Sequence, residues 1–150
     1  VPGLADVPHW TNREAVQADA LPASLIVVGG GPIGCEMAQT FARFGVRVTV
    51  IEVGPHLLGP IEPEAGELLG ELFAAEGIRV VTRAHIERVE GSGDGGDGVT
   101  VHLADGPVHA DRLLVAAAGA IHKGSFQRWR HDVYRGGVRH GALPTALRTF

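Results

Sequence analysis

Apolar positions in the first half of the chain follow two different periodicities. Residues 25–28 (LIVV) form a continuous apolar run, which is typical of a strand buried on both faces. The apolar side chains within residues 32–44 recur instead at helical spacing: Ile33, Met37, Phe41 and Phe44. Because Pro32 suits a first helical turn and Gly45 suits a C-terminal stop, we predict a strand followed by a helix.

The same alternation of strand and helix patterns continues to residue 81. Residues 46–51 (VRVTVI) are rich in β-branched side chains and predict a second strand that ends at Glu52. Residues 64–76 predict a second helix, closed by Gly77, and residues 78–81 predict a third strand. The second helix has acids in its first turn and a predicted apolar stripe: Leu68, Leu69, Leu72 and Phe73.

A strict alternation of apolar and polar residues begins after residue 85. Residues 86–90 and 99–103 show it, and it predicts half-exposed antiparallel strands. They flank GSGDGGDG at residues 91–98, which we interpret as a loop because a single glycine–aspartate copy has no repeat to stack on. Asp105-Gly106 predicts a further turn, and residues 113–118 (LLVAAA) predict a closing buried strand.

The predicted element order is βαβαβ, a small insertion and a closing strand. It favours an α/β fold, a Rossmann-like doubly wound parallel sheet with a small antiparallel β insertion. We assign residues 24–119 to this domain. Residues 1–23, with three prolines, predict an irregular lead-in, and residues 120–150 predict a basic tail of uncertain structure.

Charge separates the tail from the rest of the chain. Residues 120–150 contain six Lys or Arg and one acid, Asp132, although the net charge of the chain is −4. The acidic remainder argues against a nucleic-acid surface there. The tail itself has two interpretations, either the product of a frameshifted or truncated gene or a basic segment for an anionic partner.

The cysteine, histidine and hydropathy patterns argue against a disulfide, a metal site and a membrane span. A single cysteine, Cys35, excludes an intramolecular disulfide and is compatible with a cytoplasmic protein. No apolar run approaches about 18 residues, so we expect no membrane span. The histidines show no H-x-x-x-H spacing and no C-x-x-C accompanies them, so we predict no metal site. Because the chain starts at Val1 and its only methionine is Met37, we expect a processed, cut or excerpted chain.

The motif Gly29-x-Gly31-x-x-Gly34 joins the first predicted strand to the first predicted helix. This context is the one that a dinucleotide fingerprint requires. Gly29 would allow the tight turn, Gly31 the approach of a pyrophosphate, and Gly34 close packing of the helix.

Backbone around Pro32, Ile33 and Cys35 would surround the pyrophosphate, which the helix dipole attracts. The alternative is a glycine-rich turn in a nucleotide-free α/β domain. Cys35 is either activated by the helix dipole or, as we favour, a small buried packing residue.

An acid follows the second predicted strand, as the fingerprint requires. Glu52 lies 23 residues after Gly29, and its carboxylate could accept hydrogen bonds from ribose hydroxyls and repel a 2′-phosphate. No arginine occurs in the next four residues, so we predict NAD rather than NADP. His56, four residues after Glu52, could still contact a 2′-phosphate.

Four segments resemble the flavin-dependent pyridine nucleotide–disulfide oxidoreductases, the family of dihydrolipoamide dehydrogenase, mercuric reductase and glutathione reductase. LPASLIVVGGGPIGCEMAQTFARFGVRVTVIE resembles the NAD(P)-binding segment, and VPGLADVPHWTNREA resembles the stretch that leaves the FAD domain. IEPEAGELLGELFAAEGIRVVT and DRLLVAAAG also match, so the resemblance covers about residues 1–119. It implies that NAD(P)H delivers hydride to FAD, which reduces a disulfide or related acceptor.

The resemblance also assigns two residues to the nicotinamide end of the cofactor. Glu36 would lie beside the nicotinamide and the flavin, or it could serve only as a helix-dipole partner in the first turn. Gly119 would lie near the same end.

Several parts of the family pattern are absent from this sequence. It contains no FAD fingerprint, C-x4-C redox pair, later G-D motif or dimerisation domain, so we assign no catalytic residue. We therefore expect an NAD(P)H-binding domain that is inactive alone, with FAD present only in the intact enzyme and the rest of the flavoenzyme as partner. The alternative is a non-catalytic dinucleotide-binding module or a subunit completed by a partner chain.

Overall fold

A computed structural model describes residues 1–59, 63–92 and 98–117. Gly119, the tail 120–150 and the centre of the predicted loop 91–98 lie outside these ranges. The helices are a short 3-10 helix, Leu4–Asp6, and α1 Asn12–Val16, α2 Pro32–Arg43 and α3 Pro63–Ala75. The strands are β1 Ser24–Val28, β2 Arg47–Ile51, β3 Arg79–Val81, β4 Ile86–Gly91, β5 Val99–Leu103, β6 Gly106–Ala110 and β7 Arg112–Val115.

The predicted parallel sheet is confirmed. Its four strands lie in the order β3-β2-β1-β7, and every neighbouring pair is parallel. Alternation along β1 builds a hydrophobic core on each face of this sheet. Leu25 and Val27 belong to a core with α1, α2 and α3, whereas Ile26 and Val28 belong to a core with the antiparallel strands. Helices therefore cover one face of the parallel sheet, and the β insertion covers the other.

The insertion is a three-stranded antiparallel sheet, one strand more than the hydrophobic pattern predicts. Strands β4 and β5 occur as expected, and the predicted turn at Asp105-Gly106 leads directly into β6. Gly106 and Pro107 are poor strand formers, which explains why the pattern did not reveal β6. Pro107 is tolerated because β6 is an edge strand, with only β5 as its neighbour within this sheet.

The prediction of an irregular lead-in at residues 1–23 needs correction. Helix α1 begins with a capping box. The Glu14 carboxylate accepts a hydrogen bond from the backbone N–H of Thr11 at 2.8 Å, and the Thr11 hydroxyl accepts a backbone N–H from the first helical turn. Trp10 forms a bridge to β7, donating its N–H to Leu113 O at 2.8 Å and accepting from Val115 N at 2.8 Å. The segment thus packs onto the domain, because Leu4 and Val7 are also buried beneath the antiparallel sheet.

The predicted apolar stripe of α3 is only half buried. Phe73 is fully buried and Leu69 packs against the core, whereas Leu68 and Leu72 are 67% and 46% exposed. Side chains one position apart differ by about 100° around a helix, so a four-residue stripe is wider than the contact with one sheet face. No helix in the described ranges is long and apolar enough to cross a membrane.

Candidate functional site

The candidate site lies at the carboxyl ends of β1 and β2, where the parallel strands meet the beginning of α2. Gly29, Gly30 and Gly31 form the connection from β1 to α2. In open parallel sheets this edge is where ligands bind, because loops and helix N-termini converge there.

Gly29 and Gly34 are required by the packing of the turn itself. Gly29 has a φ of +110°, and a Cβ on it would lie 2.6 Å from the backbone N of Ala117. A Cβ on Gly34 would lie 1.9 Å from the carbonyl O of Gly29 and 3.3 Å from Cβ of Ala116. Both positions therefore demand glycine because the backbone after β1 lies directly against α2 and the end of β7.

Gly31 has the opposite environment. It is the N-cap of α2, makes no side-chain capping hydrogen bond, and has an ordinary φ of −74°. Apart from its two chain neighbours, no described residue has an atom within 4 Å of a Cβ built on Gly31. Pro32 begins the helix, and the N–H groups of Ile33 and Gly34 have no carbonyl one turn earlier within the helix. The open space and the unpaired helix N-terminus suit the pyrophosphate of a dinucleotide.

Glu52 is held against the glycine turn by backbone amides. Gly30 donates its N–H to Oε2 at 2.6 Å, and Gly54 donates its N–H to Oε1 at 2.6 Å. The carboxylate therefore links the β1–α2 turn to the loop that follows β2 through one hydrogen bond to each. Sequence reasoning did not single out Gly30 or Gly54, although the middle glycine of GGG and the glycine two residues after the acid were the available signals.

Glu36 is exposed on the second turn of α2, and α2 has no acid in its first turn. The alternative of a first-turn dipole partner is therefore wrong, because α2 begins at Pro32, four residues earlier. Besides its place in the helix, its carbonyl O accepts a hydrogen bond from the Thr40 hydroxyl at 2.8 Å. Gly119, the other predicted nicotinamide-side residue, lies outside the described residues.

Cys35 is buried beneath the glycine turn, as expected for a packing residue. Its Sγ lies 3.3 Å from the carbonyl O of Gly30, to which the thiol donates. Burial, together with the negative charges of Glu52 and Glu36, raises the pKa of the Cys35 thiol to about 11. The Cys35 thiol therefore stays protonated at neutral pH, and the alternative of a dipole-activated thiol is wrong.

Two further features lie outside this site. In the part of the chain that the structure describes, no three His, Cys, Asp or Glu side chains are grouped to hold a metal ion. An apolar groove of about 170 Å³ lies between α1 and the C-terminal half of α2, lined by Met37, Phe41 and Phe44 among others. It is on the far half of α2 from the glycine turn.

Comparison with known proteins identifies the family to which this site belongs. The model of the pyridine nucleotide-disulphide oxidoreductase family matches residues 1–131. The chain belongs to this family. This confirms the resemblance that the glycine turn and its flanking segments indicated.

Relatives of the pyridine nucleotide-disulphide oxidoreductase family show how much of such a protein this chain represents. Mercuric reductase of Acidithiobacillus ferrooxidans is 36% identical over 121 residues, 80% of this chain and 21% of that protein. Dihydrolipoyl dehydrogenase of Rhizobium etli is 38% identical over 112 residues, 71% of this chain and 23% of the relative. The chain therefore spans about a fifth to a quarter of the length of these two relatives.

Solved structures of family members share the fold. The HOCl-induced flavoprotein disulfide reductase RclA of Escherichia coli matches with a TM-score of 0.70 at 28% identity, over 79% of this chain and 27% of that one. LpdA of Mycobacterium tuberculosis matches with a TM-score of 0.63 at 30% identity, over 89% of this chain and 28% of that one. Both similarities support the Rossmann-like architecture described above.

Proposed function

We propose that this chain is the NAD(P)H-binding domain of a flavin-dependent oxidoreductase of this family, and that it places NAD(P)H for hydride transfer to the flavin. The observation that carries the proposal is the open space at Gly31, at an uncapped helix N-terminus, beside the carboxylate of Glu52. The rest of the flavoenzyme, which binds FAD, is the proposed partner.

The N-terminus of α2 would bind the pyrophosphate. Gly31 leaves room for phosphate oxygens, and the N–H groups of Ile33 and Gly34 point along the helix axis toward them. Gly29 and Gly34 act on the ligand only through the turn, because their role is to let α2 lie against the backbone after β1.

Glu52 would bind the adenosine ribose. Each of its carboxylate oxygens accepts one backbone N–H, and each has a further lone-pair direction free for a ribose hydroxyl. Because the two amides hold the carboxylate in one position, it needs no reordering when the ribose arrives. Its negative charge opposes a 2′-phosphate, so we propose that the site prefers NADH.

The nicotinamide end would lie toward Glu36 and Gly119, as the family resemblance implies. Glu36 is exposed one turn into α2, so its carboxylate is free to face the rest of the enzyme. When bound, NADH supplies the hydride, and this chain supplies position and electrostatics.

The proposal is tested by calorimetric titration of the chain with NADH, NADPH and FAD. We expect binding of NADH, weaker binding of NADPH, and no binding of FAD at the same concentrations. Tighter binding of FAD than of NADH would instead assign this domain to the flavin. Absence of binding by all three, together with a broad melting transition, would indicate a fragment that does not form the site.

A pair of glycine variants separates ligand binding from folding. Gly31→Ala should melt like the wild type because no described atom lies near its new methyl group, but the methyl should exclude the pyrophosphate and abolish NADH binding. Gly70→Ala is the matched control, because Gly70 also faces open space but lies in α3. Undiminished NADH binding by Gly31→Ala would contradict the proposed pyrophosphate position.

A further inference from the structure

The turn between β3 and β4 is hydrogen-bonded directly to the loop that carries Glu52. Arg83 donates its N–H to the carbonyl O of Gly54 at 2.8 Å, and Ala84 donates to the carbonyl O of Glu52 at 3.0 Å. Both bonds lie at the carboxyl edge of the parallel sheet, where β2 and β3 end side by side. The fold therefore brings Arg83, which is 31 residues from Glu52 in the chain, next to the proposed ribose site.

The backbone of Arg83 is in a conformation that is costly for an arginine. Its φ is +53°, in the left-handed region that residues other than glycine seldom adopt. Such strained residues persist where surrounding hydrogen bonds impose them, and they concentrate at ligand sites. Here the left-handed conformation of Arg83 is held by two backbone hydrogen bonds, from Arg83 N–H to Gly54 O and from Ala84 N–H to Glu52 O.

The side chain of Arg83 is exposed, and within residues 1–59, 63–92 and 98–117 its guanidinium makes no hydrogen bond or ion pair. Packing in the described ranges thus gives no reason for a cation at this strained position. Guanidinium groups are the preferred partners of phosphate oxygens, which they bind through two parallel hydrogen bonds.

We infer that Arg83 is a second determinant of dinucleotide choice, which supplies the positive charge for the 2′-phosphate of NADPH so that the site accepts NADPH as well as NADH. The inference rests on the proposed dinucleotide-binding function. The cation would come from the neighbouring strand end, since no arginine occurs in the four residues after Glu52.

The test compares the dissociation constants of NADH and NADPH for the wild type, Arg83→Gln and Arg79→Gln. Arg83→Gln should weaken NADPH binding about tenfold, the usual size of one lost charged hydrogen bond, and leave NADH binding within about twofold. Arg79→Gln removes the same charge from the opposite end of β3 and should change neither constant. The salt dependence of NADPH binding should also be smaller in Arg83→Gln than in the wild type.

Each other outcome is decisive. An equal loss of affinity for both dinucleotides would make Arg83 an adenine or ribose contact, and no loss for either would mean that Arg83 does not contact the ligand. Both results overturn the inference. NADH binding by the wild type would still uphold the proposed function. Failure of the wild type to bind NADH as well would reject the proposed function itself. If Arg83→Gln melts early, Arg83→Asn provides the same comparison, because asparagine adopts the left-handed region more readily.

Discussion

Two carboxylates, one beside the parallel sheet and one on the antiparallel sheet, are held in different ways. Glu52, half-buried at the edge of the parallel sheet, accepts from two backbone N–H groups at 2.6 Å each. Glu90, exposed on the outer face of the antiparallel sheet, accepts from the side chains of Arg88 at 2.7 Å and His102 at 2.8 Å. The backbone donors of Glu52 are held in place by the fold. The side-chain donors of Glu90 lose conformational entropy when they are ordered, and they also compete with water for the carboxylate.

The difference distinguishes a component of a site from a surface ion pair. A charge that backbone amides position in a half-buried place can present lone pairs to a ligand without reorganising. A charge on a solvated sheet face contributes little to stability and has no enclosed space beside it. The following predictions, from the largest expected effect to the smallest, test this contrast.

The largest effect should come from the glycine that lets α2 approach the turn. Gly34→Ala places a methyl carbon 1.9 Å from the Gly29 carbonyl O, which is backbone and cannot rotate away. We expect a loss of about 3 kcal/mol in the free energy of unfolding, measured by urea denaturation. Gly70→Ala, in an open part of α3, should instead stabilise by about 0.5–1 kcal/mol. Equal stabilities of Gly34→Ala and the wild type would show that the turn can shift.

The second prediction compares the two carboxylates directly. Glu52→Gln leaves one of the amides of Gly30 and Gly54 facing an NH₂ group, so we expect a loss of about 1–3 kcal/mol in the free energy of unfolding. Glu90→Gln, the matched exposed variant, should leave the urea midpoint nearly unchanged. If the two substitutions have equal effects, the contrast between backbone and side-chain donors is wrong.

The third prediction concerns the thiol beneath the glycine turn. Because burial and the charges of Glu52 and Glu36 raise the pKa of Cys35 to about 11, the folded chain has little thiolate at pH 8. Iodoacetamide should therefore modify the native chain slowly and the urea-unfolded chain rapidly, followed by mass spectrometry. The raised pKa also means that stability from this group is complete below the ordinary thiol pKa of 9.0 and falls as pH rises toward 11. Rapid native modification at pH 8 would place the thiol in a more open site.

The smallest effect should be the acid dependence of the surface pair. The hydrogen bonds from Arg88 and His102 lower the pKa of Glu90 below its usual value of 4.5. A lowered carboxyl pKa gives stability that is present above pH 4.5 and is lost as pH falls through the folded-state pKa. The melting temperatures of wild type and Glu90→Gln should therefore differ slightly at pH 6 in low salt and converge near pH 3. A difference that survives 1 M salt would mean that the pair is less solvated than its exposure indicates.

Elements with a strong local signal were predicted nearly to their boundaries. Helix α2 has helical periodicity, a proline at its start and Gly45 with a φ of +86° at its end, all readable from neighbouring residues. Strand β6 and helix α1 have weak or short local signals. They exist because β5 offers an unpaired edge and because α1 packs against α2 and β7.

The sequence by itself determined the parallel sheet, the glycine turn and the acid at the end of β2, since periodicity, turn chemistry and motif spacing are local properties. Only the tertiary structure decided that Glu52 is braced by Gly30 and Gly54, and that Arg83 lies beside it. Parallel strands bring together residues that are distant in the chain, and hydrogen bonds between their loops fix the positions of those residues. Contacts of that kind leave no periodic trace in the sequence.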